Sequence, residues 1–135
     1  MLVVDDDPKI QELIQEYLPA SQFEVYAAYD GQESIELYRK LEAKGKKPDL
    51  VVMDLNLSGT NKKEDMVKQM KGEAMDGVRT TKEIKEIDPQ ANVVGYTAFA
   101  GMEWGDRLKD AGAQEVYGRD VGFQDFVRKV QQILT

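Results

Sequence analysis

Short apolar runs alternate with amphipathic stripes along the whole chain, and this alternation restricts the fold more than any other feature. Leu2-Val3-Val4 is an apolar run too short for a helix. Ile10, Leu13, Ile14, Tyr17 and Leu18 then recur at helical spacing. Phe23 to Ala28 reads as a second strand, and Ile35, Tyr38 and Leu41 as a second helical stripe. Leu50 to Met53 is continuously apolar, as a central strand covered on both faces should be. Val78, Thr81, Ile84 and Ile87 mark a third helix, Asn92 to Tyr96 a fourth strand, and about Phe99 to Ala111 a fourth helix. Glu115 to Gly118 is a fifth strand, followed by a helix carrying Val121, Phe126, Val127, Val130, Ile133 and Leu134. Strand–helix alternation of this kind specifies an α/β sandwich. A length of 135 residues suits a single domain, 1–135.

The element ends carry their own signals. Asp7-Pro8 predicts a helix N-cap followed by a first-turn proline. Asp30 with Glu33 three residues on resembles a capping box. Asp88-Pro89 stops the third helix, and Gly112 is a C-cap candidate for the fourth. The fourth helix is weak, because Gly101 and Gly105 each cost about 1 kcal/mol relative to Ala in a helix interior. The chain begins almost on its first strand, so a few further residues are expected to precede it. The polar stretch 57–74, with Lys62, Lys63, Lys68 and Lys71, interrupts the rhythm and reads as an excursion in the loop after strand 3. Long loops beside a site are usually functional or disordered. A mobile lid or partner contact is the expectation here.

Composition removes several classes of function. The chain has no Cys and no His, which excludes disulfides, thiolate or His-ligated zinc, a His-based triad and a histidine phosphodonor. Net charge is −7 and the pI about 4.7, the opposite of the basic face a duplex-binding protein needs, so no direct nucleic-acid binding is expected. No apolar run approaches the roughly 20 residues that span a bilayer, and no signal peptide is visible, so a cytoplasmic location without membrane attachment is expected.

What remains is an acidic site. In parallel sheets flanked by helices, the carboxyl ends of the strands share one edge, where ligands bind. Asp5 and Asp6 follow the first strand and Asp54 follows the third. Adjacent carboxylates repel unless a cation neutralises them, and a hard oxygen donor set suits Mg²⁺. Asp7 is accounted for by capping; Asp5 and Asp6 are not. A strand-terminal Asp54 taken alone could simply start a turn. Thr97 and Ala98 follow the fourth strand; alone they would be an ordinary strand end, but at this edge they offer the hydroxyl and small residue that an incoming phosphoryl group needs. Arg119, after the fifth strand, is either a permanent cation for phosphate oxygens or a solvated surface arginine.

These stations, in this order, resemble the receiver domain of two-component response regulators. The likeness covers the whole chain and includes Asp30-Gly31, Met75-Asp76-Gly77 and Ala111-Gly112-Ala113. It implies a flavodoxin-like, doubly wound five-stranded parallel sheet of order 2-1-3-4-5, with two helices on one face and three on the other. It implies Asp54 as phosphoacceptor. Mg²⁺ would be held by Asp6, Asp54 and the backbone carbonyl of Asn56, with Asp5 acting through water. Thr97 and the amide of Ala98 would bind phosphoryl oxygens, as would Arg119. The implied partners are a sensor histidine kinase or phosphotransfer protein and a downstream protein target, and a homodimer stays open. The implied chemistry is the chain's own phosphorylation and dephosphorylation, not turnover of a separate substrate.

The sequence departs from the family pattern in three places. Arg119 and Asp120 stand where the family usually has Lys and Pro. Val116 stands where a switching aromatic is common, and Tyr117, one residue on, should face the other side of the sheet. Asp54 and Asp76 lie 22 positions apart, far more than usual, which makes 57–74 an insertion. Two other functions compete with the leading one. A degenerate receiver would act as an interaction module without phosphorylation. A Mg²⁺-dependent phosphatase with Asp54 as nucleophile would want a second Asp where Asn56 stands, and a cap domain.

Overall fold

The computed structural model describes residues 1–18, 24–55, 76–98 and 102–134. Five strands form one parallel sheet: β1 (Leu2–Val4), β2 (Tyr26–Ala28), β3 (Val51–Met53), β4 (Val93–Thr97) and β5 (Glu115–Gly118), in the order β2-β1-β3-β4-β5. Helices α1 (Pro8–Tyr17), α2 (Gly31–Ala43), α3 (Asp76–Ile87), α4 (Met102–Ala111) and α5 (Phe123–Leu134) connect or follow them. The strand order and the alternation agree with the sequence reading. The stretch 57–74, Asn56, Phe23 and Ala100 fall outside the described residues.

The three central strands β1, β3 and β4 are buried at every position because, Thr97 apart, they carry no polar side chain. Leu2, Val4, Val51, Met53 and Val93 pack with Ile35, Tyr38, Val78, Ile84 and Leu108 on the side of α2, α3 and α4. Val3, Val52, Val94 and Tyr96 pack with Ile14, Leu18, Phe126, Val127 and Val130 on the side of α1 and α5. Among the described residues, two helices thus cover one face and three the other. Strand alternation sends Val116 to the α4 side and Tyr117 to the α5 side, where Tyr117 meets the Phe126 ring edge-on at 5.9 Å.

The caps behave as their residues dictate. Asp7 accepts the Lys9 amide at 2.9 Å ahead of Pro8, and Asp30 accepts the Glu33 amide at 2.7 Å. Gly112 ends α4 at φ 130°, a conformation in which a side chain would be strained.

One helix is rotated from the expected stripe. The buried residues of α1 are Gln11 and Ile14, followed by Leu18, while Tyr17 is 46% exposed and stacks on Phe123 at 5.9 Å. The cause is polar: the Gln11 side chain reaches backbone carbonyls at the ends of β1 and β2.

Candidate functional site

The site grows out of the sheet's register. Val4 pairs with Ala28 on one side and Met53 on the other, so Asp5 and Asp54 lie one residue past the same level. The Asp54 amide donates to the Val4 carbonyl at 3.0 Å, and the Asp5 amide to the Ala28 carbonyl at 3.0 Å. On the far side Thr97 pairs with Gly118, which brings Arg119 to the same edge. Parallel pairing of five strands therefore delivers residues up to 114 positions apart to one place.

Asp5, Asp6 and Asp54 each present a carboxylate oxygen within 4.8 Å of the others. Asp5 and Asp54 are buried and Asp6 half-buried. Both Asp5 oxygens are engaged: Oδ1 accepts the Asp7 amide at 2.9 Å, and Oδ2 accepts Arg119 Nη2 at 2.6 Å. Thr97, fully buried, donates its hydroxyl to the Asp54 carboxylate. Ala98 lies exposed at the turn just past β4. Asn56 is outside the described residues, so its expected place in the ligand set carries no geometry.

Arg119 is the site's cation, but it is turned toward Asp5. Its Nη2 is 4.0 Å from Asp54 Oδ2, against 2.6 Å from Asp5. Its Nε and Nη2 also donate to the Tyr96 carbonyl at 3.3 and 2.9 Å, and its guanidinium carbon sits 4.7 Å from the Tyr96 ring centroid. A lysine has no planar fork with which to make this set of contacts. Arg119 is therefore a partly buried member of the acidic site and not a solvated surface arginine. Tyr96 in turn donates to the Val121 carbonyl at 2.8 Å and stacks on Phe126 at 4.0 Å.

The electrostatics show a charge deficit at the centre. Burial, with Asp5 next in size, pushes Asp54 up to about 7, although Thr97 and Arg119 oppose the shift. Burial likewise raises Asp5 above the ordinary carboxylate range, against the Asp7 amide and Arg119. Among the described residues, one guanidinium faces three carboxylates and does not compensate them. An all-oxygen set with this uncompensated charge fits a hard divalent cation.

One contributor escaped the sequence reading: Gln11, whose position three before Ile14 and seven before Leu18 was the available signal. Another, Gly77, stood there as part of the Met75-Asp76-Gly77 motif, without a role. Its amide donates to the Leu55 carbonyl at 2.9 Å, and a Cβ there would stand 2.7 Å from Leu55 Cα and closer still to the Asp54 carbonyl oxygen. Only glycine lets the first turn of α3 lie against the backbone that carries Asp54.

Sheet order and acidic edge together define a CheY-like α/β protein of the flavodoxin type. The sequence model of the response regulator receiver domain matches residues 1–131, and the chain belongs to that family. The chemotaxis protein CheY of Bacillus subtilis is 30% identical over 116 residues, 85% of this chain and 80% of that protein. Sporulation initiation phosphotransferase F of the same organism is 23% identical over 134 residues, 99% of this chain and 92% of its own length. A chain in the crystal structure of the CheX-CheY-BeF3-Mg+2 complex from Borrelia burgdorferi superposes with a TM-score of 0.77 at 18% identity, covering 99% of this chain and 87% of that one. This last likeness is one of fold. The chain is thus a receiver domain of two-component signalling, and no described helix is long and apolar enough to cross a membrane.

Proposed function

We propose that the chain accepts a phosphoryl group on Asp54 from a partner's phosphohistidine, in a Mg²⁺-dependent reaction, and so switches its affinity for a protein target. The observation that carries this reading is the convergence of Asp5, Asp6, Asp54, Thr97 and Arg119 on one sheet edge. Asp6, Asp54 and the Asn56 carbonyl would hold Mg²⁺ with Asp5. When bound, the ion supplies positive charge for the phosphoryl oxygens and for the three carboxylates. An Asp54 oxygen attacks phosphorus as the P–N bond to the donor histidine breaks, leaving an acyl phosphate on the chain. Thr97 would donate a hydrogen bond from its hydroxyl to a phosphoryl oxygen, and the Ala98 amide would donate to another. The chain transfers the group to itself and later loses it to water; it turns over no separate substrate. A cytoplasmic kinase or phosphotransfer protein is the donor, so the chain works in the cytoplasm.

The metal set is tested by Mg²⁺ titration. Asp6→Ala should lose at least about tenfold in affinity, while Asp7→Ala should bind Mg²⁺ nearly as wild type and lose only a cap, about 0.5–2 kcal/mol of stability. Equal losses of affinity in both variants would refute the assignment of Asp6 and Asp7.

Arg119 leaving Asp5 for the phosphoryl group is the conformational step. Arg119→Lys should keep phosphorylation. Arg119→Ala should lower phosphorylation or the structural response to it. It should also destabilise the metal-free fold by about 3 kcal/mol, the low end for breaking a buried pair, because Arg119 keeps 22% exposure. No change in any of the three would return Arg119 to the surface. The Asp5–Arg119 pair and Val116 favour one other reading, a degenerate module that binds its target without phosphorylation. Target binding unaltered by phosphorylation would support it.

A further inference from the structure

We propose that Gln11 is a positioning residue for the acidic pair, acting through backbone carbonyls at the ends of β1 and β2. The inference rests on the reading of this edge as a metal-dependent phosphoacceptor site, and adds a residue to it. Gln11 is 1% exposed on the inner face of α1. Its Nε2 lies 2.9 Å from the Val3 carbonyl, 3.2 Å from that of Asp5 and 2.9 Å from that of Ala28. An amide nitrogen has two hydrogens, so three acceptors share two donors. The reversed amide would aim its oxygen at all three carbonyls, which repulsion forbids.

The arrangement has a cost that a structural residue would avoid. Gln11 Oε1 is buried with no hydrogen-bond partner among the described residues, which forfeits the hydrogen bond water would have given it. Leu or Met would fill the same space without it. The Ala28 carbonyl already accepts the Asp5 amide, so the ladder does not need Gln11 there. What Gln11 adds is a tie on the Asp5 carbonyl. Asp5 is then held at four points: its amide on Ala28, its carbonyl on Gln11, its Oδ1 on the Asp7 amide and its Oδ2 on Arg119. The carbonyl of Asp5 belongs to the peptide plane that joins it to Asp6. Fixing that plane fixes the direction from which both carboxylates leave the backbone. Residues that orient metal ligands without touching the metal act in this way.

The test compares wild type with Gln11→Met, which keeps the volume and removes the donor. In metal-free protein, amide exchange at Asp7 should quicken about tenfold in the variant, the equivalent of one lost hydrogen bond's 1.4 kcal/mol, with Val52 unchanged. Mg²⁺ affinity measured by calorimetry should fall about tenfold. Exchange that rises equally at Asp7 and Val52, or not at all, would mean Gln11 serves only packing and would overturn the proposal. Should the wild type bind no Mg²⁺, the reading of this edge as a metal-dependent phosphoacceptor site fails, and the exchange comparison still decides Gln11. If Gln11→Met does not fold, wild-type protein decides: the Gln11 side-chain amide protons should exchange far more slowly than those of exposed Gln32. Similar rates would overturn the proposal.

Discussion

Asp54→Asn will take up no phosphoryl group when incubated with a small phosphodonor and Mg²⁺, while the wild type gains one hydroxylamine-labile acyl phosphate. The reason is placement. Asp54 joins a strand-end position with a Thr97 hydroxyl bond and an arginine 4.0 Å away. Asp5 has both oxygens committed, to Arg119 and to the Asp7 amide. Asp6 is half-buried beside them and is assigned to the metal. Asparagine keeps the shape of Asp54 and removes the nucleophilic oxygen, so the loss should be complete. Intact-mass measurement with and without a chelator reads the result directly. Phosphate retained at Asp5, at Asp6 or elsewhere in Asp54→Asn would overturn the choice of acceptor, and phosphorylation of the wild type in chelator would overturn the need for metal.

The same substitution should stabilise the metal-free protein above neutral pH. Asp54 sits at about 7 in the fold against an ordinary 3.8, chiefly through burial. The folded chain therefore holds this proton more tightly than the unfolded chain does. The stabilisation from the bound proton is complete below about pH 4 and is lost as pH rises through 7. Three pH units correspond to about 4 kcal/mol at most. The substituted asparagine is neutral throughout, so the stability of Asp54→Asn relative to wild type should climb between pH 4 and 7 and level off about 2–4 kcal/mol higher. Asp88 and Glu115, held below their usual values by Lys47 and Lys109, favour the fold at higher pH, but equally in both proteins, and cancel in the difference. Urea unfolding in chelator across pH 4–9 measures this. A difference independent of pH would show that the carboxylate is not desolvated. Added Mg²⁺ should shrink the gap, because the wild type then has a counter-charge.

Much of this was legible from residues alone. Apolar runs at Leu2–Val4 and Leu50–Met53 pointed to strands, and their terminal aspartates to the edge, because a parallel sheet leaves few arrangements for such a pattern. Thr97 followed for the same reason. The orientation of Tyr117 followed from strand alternation. The rotation of α1 did not, because Gln11 is buried by carbonyls that belong to β1 and β2, and a helical wheel scores a glutamine as outward. Nor did the turn of Arg119 toward Asp5, which depends on the Tyr96 carbonyl and ring being where β4 puts them. Asn56 and the stretch 57–74 lie outside the described residues, so the expected carbonyl ligand and the expected lid remain expectations of sequence.

The contact between Gly77 and Leu55 has a topological consequence. Their backbones are hydrogen-bonded, so the chain leaves the sheet beside Asp54 and returns to the same point 22 positions later. The two residues that flank the 56–76 segment are thus held together whatever the length of that segment. Its length can change without pulling on β3 or α3, and the entropy of closing such a loop rises by only about 0.6 kcal/mol for each doubling. A receiver can thus carry a long addition next to its reactive aspartate while the sheet below keeps its register, provided the residue bonded to Leu55 remains glycine.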